Sequence, residues 1–300
     1  MTKRLLTLLL LLALAGCPVP GDDNGDPGAS PTADPTASPS PATRPTPSPT
    51  DEDSVAVCLQ GDPFVADGSV EVEGAGGSGD ANRISDLRAA AHDGCERFVI
   101  DLAAEGGGPA AAAGDVRAEF LRRLGVVRVQ LRDVEMVDPV ATEASFGGPL
   151  ARAAYSVWSP QGRWTYVDLH VGDPAEAHVF ALENPARVVV DLRPGGGAIP
   201  ELTGEVNNVV VLEPRPGVAS YPLTVSGYSR LFEANTVVRL EVAGEEVVED
   251  FTTATAWADA WGDYSLTIED GPTGAVTLHV GDYSARDGTW SGAEIELNMR

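Results

Sequence analysis

Four histidines, His92, His170, His178 and His279, are the residues best suited to metal-assisted hydrolysis, and their placement argues against it. A zinc hydrolase needs ligands at short spacings such as His-Glu-x-x-His, whereas these four are scattered over two segments of the chain. Asp101 and Asp191 invite a different chemistry, since each closes an apolar strand with the same Asp-Leu step and two such carboxylates could work as a pair in glycoside cleavage. The preferred reading is structural: an Asp that follows a core strand at a sheet edge accepts backbone hydrogen bonds. Gly76-Gly77-Ser78-Gly79 has no strand leading into it and is not a nucleophile elbow. The expectation is a protein that is not an enzyme and carries no metal or cofactor.

The elements that position these side chains are strands. From about Ile84, residues 98–102, 126–131, 154–158, 164–171, 179–182 and 188–192 are rich in β-branched and aromatic side chains. Turn signals separate them at Gly94, Pro160-Gln161-Gly162, Gly172-Asp173-Pro174 and Glu183-Asn184-Pro185. In residues 164–171, Val167, Leu169 and Val171 alternate with Tyr166, Asp168 and His170, so the first set points inward. The only helical candidate is residues 117–124. The strand habit resumes after Gly195-Gly196-Gly197, which divides the chain.

Arg88, the run His92-Asp93-Gly94-Cys95-Glu96-Arg97-Phe98-Val99-Ile100-Asp101-Leu102 and the closing Pro185-Ala186-Arg187-Val188-Val189-Val190-Asp191-Leu192 resemble the AMIN-like domain of exported actinobacterial lipoproteins. AMIN domains take their name from the N-terminal, non-catalytic region of cell-wall amidases. The likeness spans roughly residues 82–194 and implies a β-sandwich that holds proteins in the envelope by contact with peptidoglycan or a wall-bound partner. The family usually has an aromatic where this chain has Cys95, which supports a local disulfide.

Beyond residue 199, strands are expected at 206–212, 223–227, 236–242, 246–251, 264–268, 275–280 and 294–297. Pro222-Leu223-Thr224-Val225-Ser226-Gly227, Leu231-Phe232-Glu233-Ala234-Asn235-Thr236-Val237-Val238, Phe251-Thr252-Thr253-Ala254-Thr255 and Ser284-Ala285-Arg286-Asp287-Gly288 closely resemble the bacterial immunoglobulin-like domain associated with spore-germination proteins of the GerMN type. Within it Phe232 is expected to plug the sandwich end, and Asn235 to take the positive φ of the bend. The fold class expected is all-β, with two tandem sandwiches at residues 82–198 and 199–300 behind a Gly-rich lead-in at 54–81.

Lys3 and Arg4 followed by residues 5–14, apolar except for Thr7, form a signal peptide over residues 1–16, too short to span a membrane stably. Its ending, Leu14-Ala15-Gly16-Cys17, resembles the lipobox of bacterial lipoproteins, and that resemblance implies lipidation of Cys17, with palmitate among the acyl chains. Residues 17–53 then form a linker of Pro, Ser, Thr, Ala, Gly and Asp, unable to bury enough apolar surface to fold. Asp22-Asp23-Asn24-Gly25-Asp26 opens like a calcium loop, but Pro27 stands where Gly is wanted and no Glu closes it. In the oxidising compartment that export implies, Cys58 and Cys95 are expected to form a disulfide worth roughly 3 to 4 kcal/mol in the chain-entropy model.

The chain has 20 Lys+Arg against 45 Asp+Glu and a formal net charge of −25, which makes nucleic acid an unsuitable partner. The expectation is a non-catalytic lipoprotein on the outer face of the bacterial cytoplasmic membrane, with the AMIN-like domain binding peptidoglycan or a wall partner and the immunoglobulin-like domain touching protein. Candidates for a sugar-facing surface are His92, Asp93, Arg97, Trp158, Trp164, Tyr166 and His170. Two alternatives stand beside it: a spacer or chaperone-like lipoprotein that binds only protein, and a sporulation or germination accessory.

Overall fold

The computed structural model describes residues 58, 60–61, 63–159, 163–206 and 208–300. The signal segment, Cys17, the linker and the Pro160-Gln161-Gly162 turn lie outside the described residues, as does the Trp158 side chain. The fold class expected from the sequence is the one observed: nearly all structure is strand, with short 3-10 turns at Arg122–Leu124, Pro139–Ala141 and Phe232–Ala234.

The first sandwich contains β1 (Gly68–Val70), β2 (Val72–Glu73), β3 (Ala81–His92), β4 (Cys95–Ala104), β5 (Val116–Leu121), β6 (Val126–Arg132), β7 (Met136–Val137), β8 (Glu143–Ser145), β9 (Ala151–Trp158), β10 (Trp164–Val171), β11 (Ala175–Leu182) and β12 (Arg187–Pro194). One sheet runs in the order β1-β5-β6-β10-β9-β8 and the other β2-β11-β12-β4-β3-β7. Phe98, Ile100, Phe120, Val129, Leu131, Val167, Leu169 and Val190 fill the space between them. Residues 117–124 are not a helix. Val116, Ala118 and Phe120 are buried at alternate positions and so form β5, and only Arg122–Leu124 coils, ended by Gly125 in the left-handed region at φ 65°.

Asp101 and Asp191 do not sit at a sheet edge. They lie on β4 and β12, the two central strands, whose antiparallel register sets Arg187 opposite Asp101 and Arg97 opposite Asp191. Arg97 donates from Nε and Nη2 to the two Asp191 oxygens, each at 2.7 Å. Asp101 receives Arg88 Nε at 2.5 Å and lies 3.1 Å from Arg187 Nε. Each carboxylate is thus committed to guanidinium groups. Burial pushes the Asp191 carboxyl above its ordinary range against the pull of Arg97. Cys58 and Cys95 are joined, tying the lead-in to the first residue of β4.

The second sandwich contains β13 (Gly204–Val206), β14 (Val209–Glu213), β15 (Gly217–Ala219), β16 (Leu223–Ser229), β17 (Asn235–Val242), β18 (Glu245–Thr253), β19 (Gly262–Ile268), β20 (Gly274–Tyr283) and β21 (Trp290–Met299). Its sheets are β13-β14-β16-β19 and β15-β21-β20-β17-β18. The single strand expected at 206–212 is instead the hairpin β13–β14. Val225, Val238, Leu240, Leu278, Val280 and Ile295 form the core. Gly227 is needed where β16 passes β14, because a Cβ there would lie 2.0 Å from the Val210 carbonyl oxygen that also accepts the Tyr264 hydroxyl at 3.0 Å. The described residues of both sandwiches belong to one compact unit, and between the sandwiches lies a separate core in which buried ion pairs are ringed by apolar side chains.

Candidate functional site

The outer face of the β1-β5-β6-β10-β9-β8 sheet is built from alternate residues of neighbouring strands. Arg128, Gln130 and Arg132 of β6 pair with Asp168, Tyr166 and Trp164 of β10, and Arg117 of β5 pairs with Gln130. Half of this face is covered by the second sandwich. There Asp168 is fully buried, although it occupies the strand position that points away from the first core. It accepts Arg128 through Nε at 2.7 Å and Nη2 at 2.8 Å, Arg230 Nη1 at 2.7 Å and Trp261 Nε1 at 2.8 Å. Arg230 and Trp261 come from the second sandwich.

The cluster is sealed by rings and aliphatic side chains. Leu124, Val126, Leu202, Val210, Tyr228 and Trp261 pack around it, and the Tyr228 hydroxyl donates to the Leu124 carbonyl at 2.6 Å. His170 lies fully buried among Tyr155, Tyr228 and Trp261, with Nδ1 3.0 Å from a Glu205 oxygen whose partner accepts Arg152 Nε at 2.7 Å. A sugar-facing role for His170 is therefore overturned: besides Tyr155 of its own sheet, Tyr228, Trp261 and Glu205 of the second sandwich cover it, which strand alternation cannot see.

Burial alone would push the Asp168 carboxyl up, but the charge and hydrogen bonds of Arg128, with the charge of Arg230, hold it down at about 2. Burial draws Arg230 down to about 10 despite Asp168, so both stay charged at neutral pH. Because the folded pKa lies below the unfolded one, the stabilisation is complete above pH 4 to 5 and is lost as pH falls towards 2. Thermal unfolding scanned between those limits should show a loss of roughly 2 kcal/mol from this group, absent from an Asp168→Asn chain. Equal acid slopes in the two proteins would contradict the assignment.

The uncovered half of the face carries Trp164 and Tyr166, both half-buried, beside the exposed Arg117 and Arg132. Arg117 Cζ stands 4.6 Å from the Trp164 ring centroid and Arg128 Cζ 4.8 Å from that of Tyr166. Trp158 ends β9 of the same sheet. The other candidates belong elsewhere: Arg97 lies on the opposite sheet, bound to Asp191, while His92 ends β3 and Asp93 opens the β3–β4 hairpin turn. The fold thus divides the seven candidates between two sheets. Arg117 and Gln130 were missed, Arg117 because it fell inside the expected helix.

Phe232 does not plug the second sandwich. Its ring is 60% exposed and meets Trp257, 46% exposed, edge to face at 5.8 Å. The positive φ falls on Glu233 and Ala234, at 55° and 60°, while Asn235 is extended at −80°. Phe232→Ala should accordingly change stability by no more than about 0.5 kcal/mol in urea unfolding, where a buried ring would cost about 3 to 5.

Among the described residues, no group of three His, Cys, Asp or Glu side chains is placed to hold a metal ion. Residues 208–289 match the family described as the immunoglobulin-like domain of bacterial spore germination. The second sandwich contains an immunoglobulin-like domain of that kind. The matched stretch holds Arg230, Phe232, Trp257 and Trp261, so the immunoglobulin-like domain supplies half of the junction. Such a domain fits a non-catalytic accessory or protein-contact role. No curated protein and no solved structure matches the chain.

Proposed function

We propose that the chain is a lipid-anchored envelope protein, tethered through Cys17 to the outer face of the cytoplasmic membrane, whose first sandwich binds peptidoglycan and whose immunoglobulin-like domain contacts protein. The observation that carries the wall-binding half is the open row of Trp164 and Tyr166 beside Arg117 and Gln130 on a rigid sheet face. Aromatic rings stack on the apolar faces of sugars, and guanidinium and amide groups hydrogen-bond hydroxyls and carboxylates. The likeness of residues 82–194 to AMIN-like domains supports the same reading.

The test is retention on insoluble peptidoglycan of residues 54–300, because cutting near residue 198 would strip Asp168 and His170 of their cover. Retention above a control β-sandwich is expected, with a severalfold loss on replacing Trp164 and Tyr166 together by alanine. No retention would sink the proposal. Anchoring is checked separately by incorporation of labelled palmitate, expected in the native chain and absent from Cys17→Ala. The match of residues 208–289 favours a second reading, a sporulation or germination accessory, against which expression confined to vegetative growth would count.

A further inference from the structure

We infer that the ligand surface crosses the junction: Phe232 and Trp257 of the immunoglobulin-like domain continue the Trp164 and Tyr166 row, so that one extended glycan strand is held by both sandwiches at once. This rests on the peptidoglycan reading above.

The two loops that plug the junction are the ones that carry the exposed rings. Arg230 and Trp261 turn inward to Asp168, while Phe232 and Trp257, close to them in the same loops, stay largely in solvent. A run of contacts connects the two aromatic pairs. Arg128 lies over the Tyr166 ring and donates from Nη1 to the Asp259 carbonyl at 2.7 Å, and Asp259 shares the Trp257 loop. Ser159, just past β9, donates to the Asp259 carboxylate at 2.8 Å.

An exposed ring alone means little. Here two of them touch, and the backbone beside each is held in the left-handed region that such residues avoid: Glu233 and Ala234 next to Phe232, and Ala258, at φ 64°, next to Trp257. The Trp257 loop is also fixed at its base. Thr255 N–H donates to the Asp263 carbonyl at 3.0 Å, Asp263 N–H returns to the Thr255 hydroxyl at 2.9 Å, and a Cβ on Gly262 would lie 2.1 Å from the Ala256 nitrogen. A loop backbone held in this way has little left to order when a ligand stacks on the rings it carries. The surface alternates rings with Arg, Gln and Asp rather than forming a continuous apolar patch, which suits a polymer whose sugar faces alternate with hydroxyls better than it suits a protein core contact.

The experiment titrates residues 54–300 with a disaccharide and a hexasaccharide of N-acetylglucosamine, beside retention on insoluble peptidoglycan. The native chain should bind the hexasaccharide at least roughly tenfold more tightly than the disaccharide, since both halves then engage one ligand. Phe232→Ala with Trp257→Ala, and separately Trp164→Ala with Tyr166→Ala, should each remove most of that gain, with unchanged melting temperatures showing that the variants fold. If only the Trp164 and Tyr166 pair matters, the crossing surface is wrong and the peptidoglycan reading stands. If only the Phe232 and Trp257 pair matters, both halves of the inference fail as a composite. If the native chain binds neither oligomer nor peptidoglycan, both proposals fall together.

Discussion

Replacing Asp168 by asparagine is expected to destabilise residues 54–300 by about 3 to 5 kcal/mol, because it removes the charge that Arg128 and Arg230 share and leaves the fully buried Arg230 guanidinium without its ion-pair partner. Arg230 and Asp168 are both fully buried, so Arg230 cannot reach bulk water without opening the junction, while Arg128 keeps a small exposed edge on the Tyr166 side. Asparagine keeps the shape of the site, but it offers one acceptor oxygen and an N–H₂ group to the four donors that now converge there. The loss should appear as a fall of about 10 °C in melting temperature for a unit of this size. With the junction weakened, the two sandwiches should also begin to unfold in separate transitions. A change below about 1 kcal/mol would mean that water already reaches the cluster.

Trp261→Ala should cost a similar amount, about 3 to 5 kcal/mol, through the cavity left by a buried aromatic ring. The indole packs edge to face on Tyr228 and His170 at centroid distances of 5.2 and 5.4 Å, lies 4.3 Å beneath the Arg230 guanidinium, and donates to Asp168. Because ring and carboxylate share that donor, the two substitutions should not add. A double-mutant cycle in urea should return a coupling of about 1 to 3 kcal/mol, and strict additivity would show that the rings and the ions stabilise independently.

The strands legible in the sequence are those whose alternation is unbroken. In β10, Val167, Leu169 and Val171 point into the first core as expected, and β16, β17, β20 and β21 show their inward residues as plainly. By contrast β3 escaped notice, because irregularities between Ala81 and Arg83 and between Ile84 and Asp86 shift its period and scatter its apolar positions. The site was legible only in part. Trp164 and Tyr166 declare themselves by type, whereas the burial of Asp168 and His170 depends on Arg230 and Trp261, distant in sequence and in another sandwich. Phe232 failed the other way: residue type favoured burial, and only the backbone of Glu233 and Ala234 turns the ring outward.

The reciprocal pairs of β4 and β12 have a bearing on how the first sandwich finds its alignment. Sliding one strand past the other by two residues preserves every inward and outward assignment, so the apolar pattern barely opposes it. Such a slip would set Asp191 against Val99 and Val189 against Asp101, breaking both cross-strand ion pairs and leaving a buried carboxylate bare. The two Arg-x-x-x-Asp strings therefore act as a key cut on both strands, selecting one registration out of several that hydrophobicity alone would accept.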